Sequence, residues 1–178
     1  MLATHTAEGK RHKIAENRCA DLLGYIWGAT PMEYGDETSI ADRMYFIDGQ
    51  LDCLVEIKNR SDSLRDVVHL GKYIRDGRQG LIAERKKILG VHFLAEQLGC
   101  AFRYAALMGE GVATWTLWTP ETEWSIEPED FVSGRAKATC NSEDQDVQID
   151  LIYLPIGGAT WYPKADLITA EKEATDGE

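Results

Sequence analysis

Two acidic residues and a lysine stand where a short hairpin could bring their side chains together. Asp42 precedes one hydrophobic segment, and Glu56 and Lys58 lie in the next. Alternate residues of a strand point to the same face, so Glu56 and Lys58 are expected to share a face and Ile57 to point away. Charges on a buried strand are costly unless they are paired or metal-bound. The alternative, a solvent-facing pair on an edge strand, is disfavoured by the apolar character of LVEIK.

The direction of the Asp42 side chain depends on the turn between the two strands. A two-residue turn at Asp48–Gly49 would place Asp42 opposite Val55, on the wrong face. A three-residue loop that also includes Gln50 would place Asp42 opposite Glu56, with Cβ atoms about 5 Å apart. We therefore predict the three-residue loop, or a bulge that restores the same phase.

The combination of two carboxylates and one ammonium group suits hydrolysis of phosphodiesters. Two nearby carboxylates repel each other when both are ionised, and a cation between them removes that repulsion. Mg²⁺ and similar hard cations prefer oxygen ligands. Such an ion polarises a phosphoryl oxygen and lowers the pKa of a bound water, while a lysine stabilises developing negative charge or holds the attacking water. We expect Asp42 and Glu56 to bind Mg²⁺ or Mn²⁺ and Lys58 to assist.

The elements that must position these residues follow from the hydrophobic periodicity. Helices are predicted at 10–27 and 81–98, with Gly99 at the C-cap position. Strands are predicted on both sides of Asp48–Gly49, at FRYAALM, at VATWTLW and at VQIDLIYLPI, with one further strand just before Asp42. Loops are predicted at 28–37, at 61–80 with short helical pieces, and in the acidic, irregular stretch 120–146. The expected fold is α/β, a central mixed β-sheet flanked by helices with extra C-terminal strands.

The domain prediction is a single domain over residues 1–165, followed by an acidic, frayed tail over 166–178. The start of the chain lacks the apolar segment of a signal peptide, and no apolar run approaches the ~20 residues that cross a bilayer. We expect no membrane contact and a cytoplasmic protein, in the host cytoplasm if it is phage-encoded. The four cysteines are irregularly spaced and are expected to be free thiols.

The charge is unevenly distributed along the 178 residues, whose net charge is −11. Residues 111–178 hold 14 acidic and 4 basic side chains, whereas residues 57–87 hold 9 basic and 4 acidic ones. A nucleic acid is therefore expected over residues 57–87 and away from the C-terminal third. On charge alone, a solvated helix face explains this basic stretch equally well.

These residues resemble the motif of the PD-(D/E)XK nuclease superfamily. The resemblance rests on Ile40–Arg43, on the Asp-Gly hairpin and on Val55–Arg60, with thirteen residues between the aspartate and the glutamate. Ala41 stands where the motif has a proline. The resemblance implies a restriction endonuclease-like core with the element order αβββαβ over about residues 10–118.

The resemblance also implies roles for individual residues. Asp42, Glu56 and the backbone carbonyl of Ile57 would be metal ligands, and Lys58 would be the catalytic lysine. Glu16 matches an acidic residue that many members place beside the metal; a solvated helix glutamate is the alternative.

Four basic residues are further candidates for DNA contacts. Lys86 or Lys87 would face the active site, as a basic or polar residue does in some members. Arg43 and Arg60 would contact phosphates. For each of the four, an ordinary solvated side chain is the alternative.

The leading hypothesis is an Mg²⁺- or Mn²⁺-dependent DNA endonuclease or exonuclease. Holliday-junction resolvase-like members resemble the chain in size and in the placement of the acids and the lysine, and they act as homodimers. The net charge of −11 instead favours weak DNA binding or a protein partner that supplies DNA affinity. The alternatives are a catalytically inactive nuclease-fold interaction module of a DNA-processing complex and an unrelated α/β binding protein.

Overall fold

Two long helices and ten strands make up most of the described chain. The computed structural model describes residues 7–35, 39–61, 65, 74–75, 78–122, 131–137 and 146–169. The helices are α1 (Ala7–Trp27) and α2 (Arg85–Leu98). The strands are β1 (Thr30–Glu33), β2 (Arg43–Ile47), β3 (Gln50–Asn59), β4 (Ile74–Arg75), β5 (Arg78–Glu84), β6 (Ala101–Met108), β7 (Gly111–Trp118), β8 (Phe131–Lys137), β9 (Asp146–Pro155) and β10 (Ala159–Pro163). A 3-10 turn at Ile156–Gly158 precedes β10, and residues 164–169 are helical.

The strands form two sheets. The central sheet has six strands in the order β1-β2-β3-β6-β7-β10, and the second has four in the order β4-β5-β9-β8. All neighbouring strands are antiparallel except β3 and β6, which run parallel. A parallel pair needs a long crossover, and the chain between β3 and β6 includes α2. The predicted mixed α/β class is confirmed.

Helix α1 covers one face of the central sheet because its apolar side chains recur at helical spacing. Cys19, Ala20 and Leu23 are buried in one cluster with Val55 and Ile57 of β3. Strand β3 therefore turns its odd-numbered residues towards α1. Each large apolar side chain buried this way contributes about 1.5–3 kcal/mol.

Helix α2 covers the opposite face. Ile88, Val91 and Ala95 pack in a second cluster with Leu54 of β3 and Phe102 of β6. The same cluster takes in buried residues from the second sheet, namely Leu81, Ala83, Ile152 and Leu154. Strand β3 is thus covered on both faces, which explains why its sequence is so apolar.

The hairpin between β2 and β3 closes with two residues, not three. Ile47 pairs directly with Gln50, and Asp48 and Gly49 adopt φ values of 50° and 78°. Two consecutive left-handed residues match the backbone twist of a tight hairpin, and Asp-Gly favours this turn. The predicted three-residue loop is therefore wrong.

A bulge follows this turn and shifts the pairing. Phe46 pairs with Leu51, but Tyr45 pairs with Cys53, so Asp52 is the extra residue of the hairpin. One extra residue on β3 changes the phase of the hairpin from that point on. The bulge that we named as the alternative thus restores the predicted phase.

The predicted helix at 81–98 begins too early. Residues 78–84 form β5, which pairs with β9, and α2 begins at Arg85. Leu81 and Ala83 are both buried, and their spacing of two residues is that of a strand. In the sequence, however, they stand directly before the apolar residues of α2 and extend the same helical pattern. The predicted helix end is confirmed, because Gly99 adopts the left-handed conformation (φ 63°) of a C-cap.

Other predicted loops contain strands that pair with neighbouring or more distant strands. Thr30–Glu33 pairs with β2, Ile74–Arg75 with β5, and Phe131–Lys137 with β9. Residues 166–169, predicted as frayed tail, belong to the short helix, where Leu167 is buried. The rest of the predicted tail, residues 170–178, lies outside the described residues.

None of the helices in the described part of the chain has the length and apolar character needed to span a membrane.

Candidate active site

Asp42 lies directly before the first residue of β2 and caps the edge of β3. Arg43 pairs with Val55, and the Asp42 N–H donates to the Val55 carbonyl at 3.2 Å. The Asp42 carboxylate oxygen Oδ2 accepts the Ile57 N–H at 2.8 Å. The side chain therefore provides Ile57 with the hydrogen-bond acceptor that a longer β2 would have provided from its backbone. This bond fixes the direction of the carboxylate.

The ammonium group of Lys58 contacts both predicted acids. Its Nζ lies 2.5 Å from Oε1 of Glu56 and 4.0 Å from Oδ2 of Asp42. Glu56 is 0% exposed, whereas Asp42 and Lys58 keep 26% and 36% of their side-chain surface open. The structure thus brings Asp42, Glu56 and Lys58 together, with the glutamate at the buried end.

Helix α2 supplies a second ammonium group to Glu56. Nζ of Lys87 lies 3.2 Å from Oε2 of Glu56 and donates to the Ser39 carbonyl at 2.9 Å. Of the two lysines predicted to face the site, Lys87 reaches it, while Lys86 is exposed on the helix. Lys87 is only 18% exposed, and its ammonium group is used by Glu56 and the Ser39 carbonyl.

Burial controls the ionisation of this cluster. It raises the pKa of Glu56 to about 7, aided by the negative charge of Asp42 and opposed by Lys58 and Lys87. Burial alone would lower the pKa of Lys58, but the carboxylates of Glu56 and Asp42 raise it above its ordinary value. Lys58 is therefore a cation at neutral pH and acts through its charge.

Glu16 reaches the same edge of β3 from α1. Its carboxylate lies near the Asn59 N–H and the Lys58 ammonium, and burial, opposed by that ammonium, raises its pKa. A strand residue directs its N–H and C=O to the same side, so Ile57 and Asn59 both point towards the edge that β2 has vacated. The Ile57 carbonyl lies between these two N–H groups, of which the Ile57 N–H is capped by Asp42 and the Asn59 N–H lies near Glu16.

Arg43 points into the protein. Its side chain is 5% exposed, and its guanidinium donates to the Asp42 carbonyl at 2.7 Å and to Oδ1 of Asn17. It also pairs with Glu33 at 3.3 Å. The predicted phosphate contact is therefore wrong for Arg43, because its donors are used between α1, β1 and the Asp42 backbone. The sequence carries no signal for Asn17 or Glu33, which lie in other elements.

Arg60 follows β3 on the face that carries Glu56 and Lys58. Its N–H continues the pairing with β6 by donating to the Leu107 carbonyl at 2.7 Å. The buried phenol of Tyr104 lies beside the Arg60 side chain, and burial raises the pKa of Tyr104 to about 12. Tyr104 pairs with Glu56 across the parallel strands, so it borders the site. The segment FRYAALM predicts a strand, but only the register reveals this neighbour.

The acids form a loose set. Among the described residues, no group of three or more His, Cys, Asp or Glu side chains is gathered closely enough to hold a metal ion. The oxygen donors at the β3 edge are the carboxylates of Asp42 and Glu56, the Ile57 carbonyl and, from α1, Glu16.

The sequence matches no family model and no curated protein.

Proposed function

We propose that the chain is a PD-(D/E)XK-like nuclease that hydrolyses DNA phosphodiester bonds with Mg²⁺ or Mn²⁺. The observation that carries the proposal is the meeting of the Asp42 and Glu56 carboxylates at the Lys58 ammonium, on the edge of β3 that β2 vacates. The order of the central elements supports it. Helix α1, strands β1 to β3, helix α2 and then β6, which is parallel to β3, occur in the order expected for a restriction endonuclease-like core, with β4 and β5 of the second sheet inserted before α2.

The donor set fits a hard divalent cation. Asp42, Glu56 and the Ile57 carbonyl offer only oxygen atoms, which such ions prefer. The space between the two carboxylates already accommodates one positive charge, that of Lys58. These three residues would hold the ion, which when bound would polarise a phosphoryl oxygen and lower the pKa of a water.

The protein groups each have a task that follows from their contacts. The Ile57 N–H orients Asp42 before any substrate arrives. Lys87 offsets the charge of buried Glu56, so that the carboxylate can be ionised near neutral pH. Lys58, a partly exposed cation, stabilises negative charge that develops on the phosphate and holds the attacking water.

One observation favours a second candidate, a catalytically inactive nuclease-fold interaction module of a DNA-processing complex. Two ammonium groups already neutralise Glu56, and the described residues contain no cluster of three acids. An ion-paired core of this kind stabilises a scaffold without needing a metal. The two candidates differ in whether the protein cleaves any DNA.

The deciding experiment incubates the protein with supercoiled, linear, single-stranded and branched DNA in Mg²⁺, Mn²⁺ or EDTA. We expect cleavage of at least one substrate with metal and none in EDTA. Asp42→Asn and Lys58→Met should each lower the rate by about 100-fold or more, because each removes charge at the reaction centre. Cleavage of branched DNA in preference to the other substrates would identify the resolvase-like subgroup.

Two matched variants control for the chemical change itself. Asp48→Asn makes the same carboxylate-to-amide change in the exposed turn, and Lys164→Met removes an exposed lysine after β10. Both should cleave at the wild-type rate. A wild-type protein that cleaves none of the four substrates with either metal would reject the nuclease and favour the interaction module.

A further inference from the structure

Arg43 is a charged residue in a buried position, where its guanidinium needs hydrogen-bond acceptors. It is 5% exposed, and burying an unpaired guanidinium would cost several kcal/mol. Its donors reach the carbonyl of Asp42, the amide oxygen of Asn17 and the carboxylate of Glu33. The residue therefore joins the site segment before β2 to both α1 and β1.

The α1 contact is made directly beside the acid of that helix. Asn17 follows Glu16 in sequence, and Lys13, one turn earlier, pairs with Glu33 at 3.2 Å. Arg43, Glu33, Lys13 and Asn17 thus connect α1 to β1 and β2 through consecutive polar contacts. Any rotation or sliding of α1 that moves Glu16 along the β3 edge must break this network.

We propose that Arg43 is a positioning residue that sets the spacing between the Asp42 and Glu16 carboxylates along the edge of β3. One arm of its rigid guanidinium holds the Asp42 backbone, while the other holds α1. The Asp42 carboxylate is then kept on the Ile57 N–H and the Glu16 carboxylate near the Asn59 N–H, on either side of the Ile57 carbonyl. The link to catalysis rests on the proposed nuclease function; the link to carboxylate position does not.

Amide hydrogen exchange reports the positions of the two carboxylates and does not require the protein to cleave DNA. In EDTA, the N–H groups of Ile57 and Asn59 report whether Asp42 and Glu16 occupy their places. Arg43→Lys keeps the charge but cannot bond all three acceptors in the same geometry. We expect both amides to exchange roughly tenfold faster in this variant, with the amide of Ala105 in β6 unchanged.

Asn17→Ala removes only the contact between Arg43 and α1 and leaves the contact with the Asp42 carbonyl in place. It also leaves the buried Arg43 itself unchanged. Asn17 is exposed, so its loss should leave the fold intact. Exchange should accelerate at Asn59, which Glu16 covers, and not at Ile57, which Asp42 caps. The control is Arg103→Lys, which perturbs another partly buried arginine, paired with Asp52 at 3.5 Å and stacked on Trp27 near the far end of α1. It should change neither amide.

Cleavage assays then connect position to function. In Arg43→Lys and Asn17→Ala, the Mn²⁺ concentration for half-maximal cleavage should rise by about tenfold, with KM for DNA unchanged. Unchanged exchange at Ile57 and Asn59 in both variants would overturn the proposal, as would equal acceleration in Arg103→Lys. If the wild type cleaves nothing, the nuclease function fails, and the exchange data still decide whether Arg43 positions the two acids.

Discussion

At the scale of single residues, the most informative feature is the full burial of Glu56. A carboxylate in that position is expensive, and the protein places two lysines against it, one from the same strand and one from α2. The balance leaves the pKa of Glu56 near 7, where a small change in environment alters its charge. The pairing of Glu56 with Lys58 follows from strand alternation, whereas the contribution of Lys87 requires the packing of α2.

The raised pKa predicts how stability depends on pH. In EDTA, the native protein binds the Glu56 proton more tightly than the unfolded chain, because the pKa is about 7 when folded and 4.5 ordinarily. The free energy of unfolding of the wild type, relative to Glu56→Gln, should therefore fall as the pH rises from about 4.5 to about 7, by at most about 3 kcal/mol. Urea titrations at four pH values measure it.

The difference should be constant below and above that window, where Glu56 has the same charge in both states. If the free energy of unfolding of the wild type relative to Glu56→Gln is independent of pH, or rises with pH, burial does not raise the pKa of Glu56.

At the scale of elements, the hairpin determines whether the site exists. Strand alternation alone leaves Asp42 on either face, and the observed two-residue turn would by itself put it on the wrong one. The extra residue at Asp52 corrects the phase. An Asp-Gly turn is a strong local signal, but the bulge has no equivalent signature, because its position depends on which apolar residues must face α1 and which α2.

Replacement of Gly49 in the turn should destabilise the protein. Gly49 has φ 78°, and a Cβ added there would meet nothing within 4 Å, so a substitution costs only backbone strain. Gly49→Ala should lower the free energy of unfolding by about 1–2 kcal/mol. Chemical denaturation compares it with Gly157→Ala, where space is equally open without a left-handed φ.

Gly157→Ala should be neutral or slightly stabilising. Equal losses in the two variants would show that the left-handed turn is not the source of the cost. Cleavage by Gly49→Ala well below its melting temperature should remain normal, since the bulge and the two cores still hold the register.

At the scale of the whole molecule, charge limits how the protein meets a polyanion. The chain carries −11, and its C-terminal third holds most of the imbalance. The structure removes Arg43 and Lys87 from the set of residues open to DNA, because both are used against internal acceptors. Arg60 and the exposed Lys86 remain candidates, within the basic stretch 57–87.

Removing the acidic end should therefore strengthen DNA binding. Residues 171–178 hold four acidic side chains and one lysine. A chain ending at Thr169 should bind a DNA duplex about two- to fivefold more tightly in roughly 50 mM salt, because long-range repulsion falls. Fluorescence anisotropy at about 50 and 200 mM salt measures the effect, which should shrink at the higher concentration. A gain that is independent of salt would point to steric rather than electrostatic release.

The sequence by itself determined the parts of this protein that depend on neighbours along the chain. Strand alternation placed Glu56 and Lys58 on one face, Asp-Gly marked the hairpin, and Gly99 marked the end of α2. The tertiary structure alone decided the bulge at Asp52, the strands β1, β4, β5 and β8, and the inward turn of Arg43. These features depend on partners in other elements, because a strand needs another strand for its hydrogen bonds and a buried charge needs its acceptors. The bulge gives the phase that unites Asp42 with Glu56 and Lys58, in a strand that both helices cover.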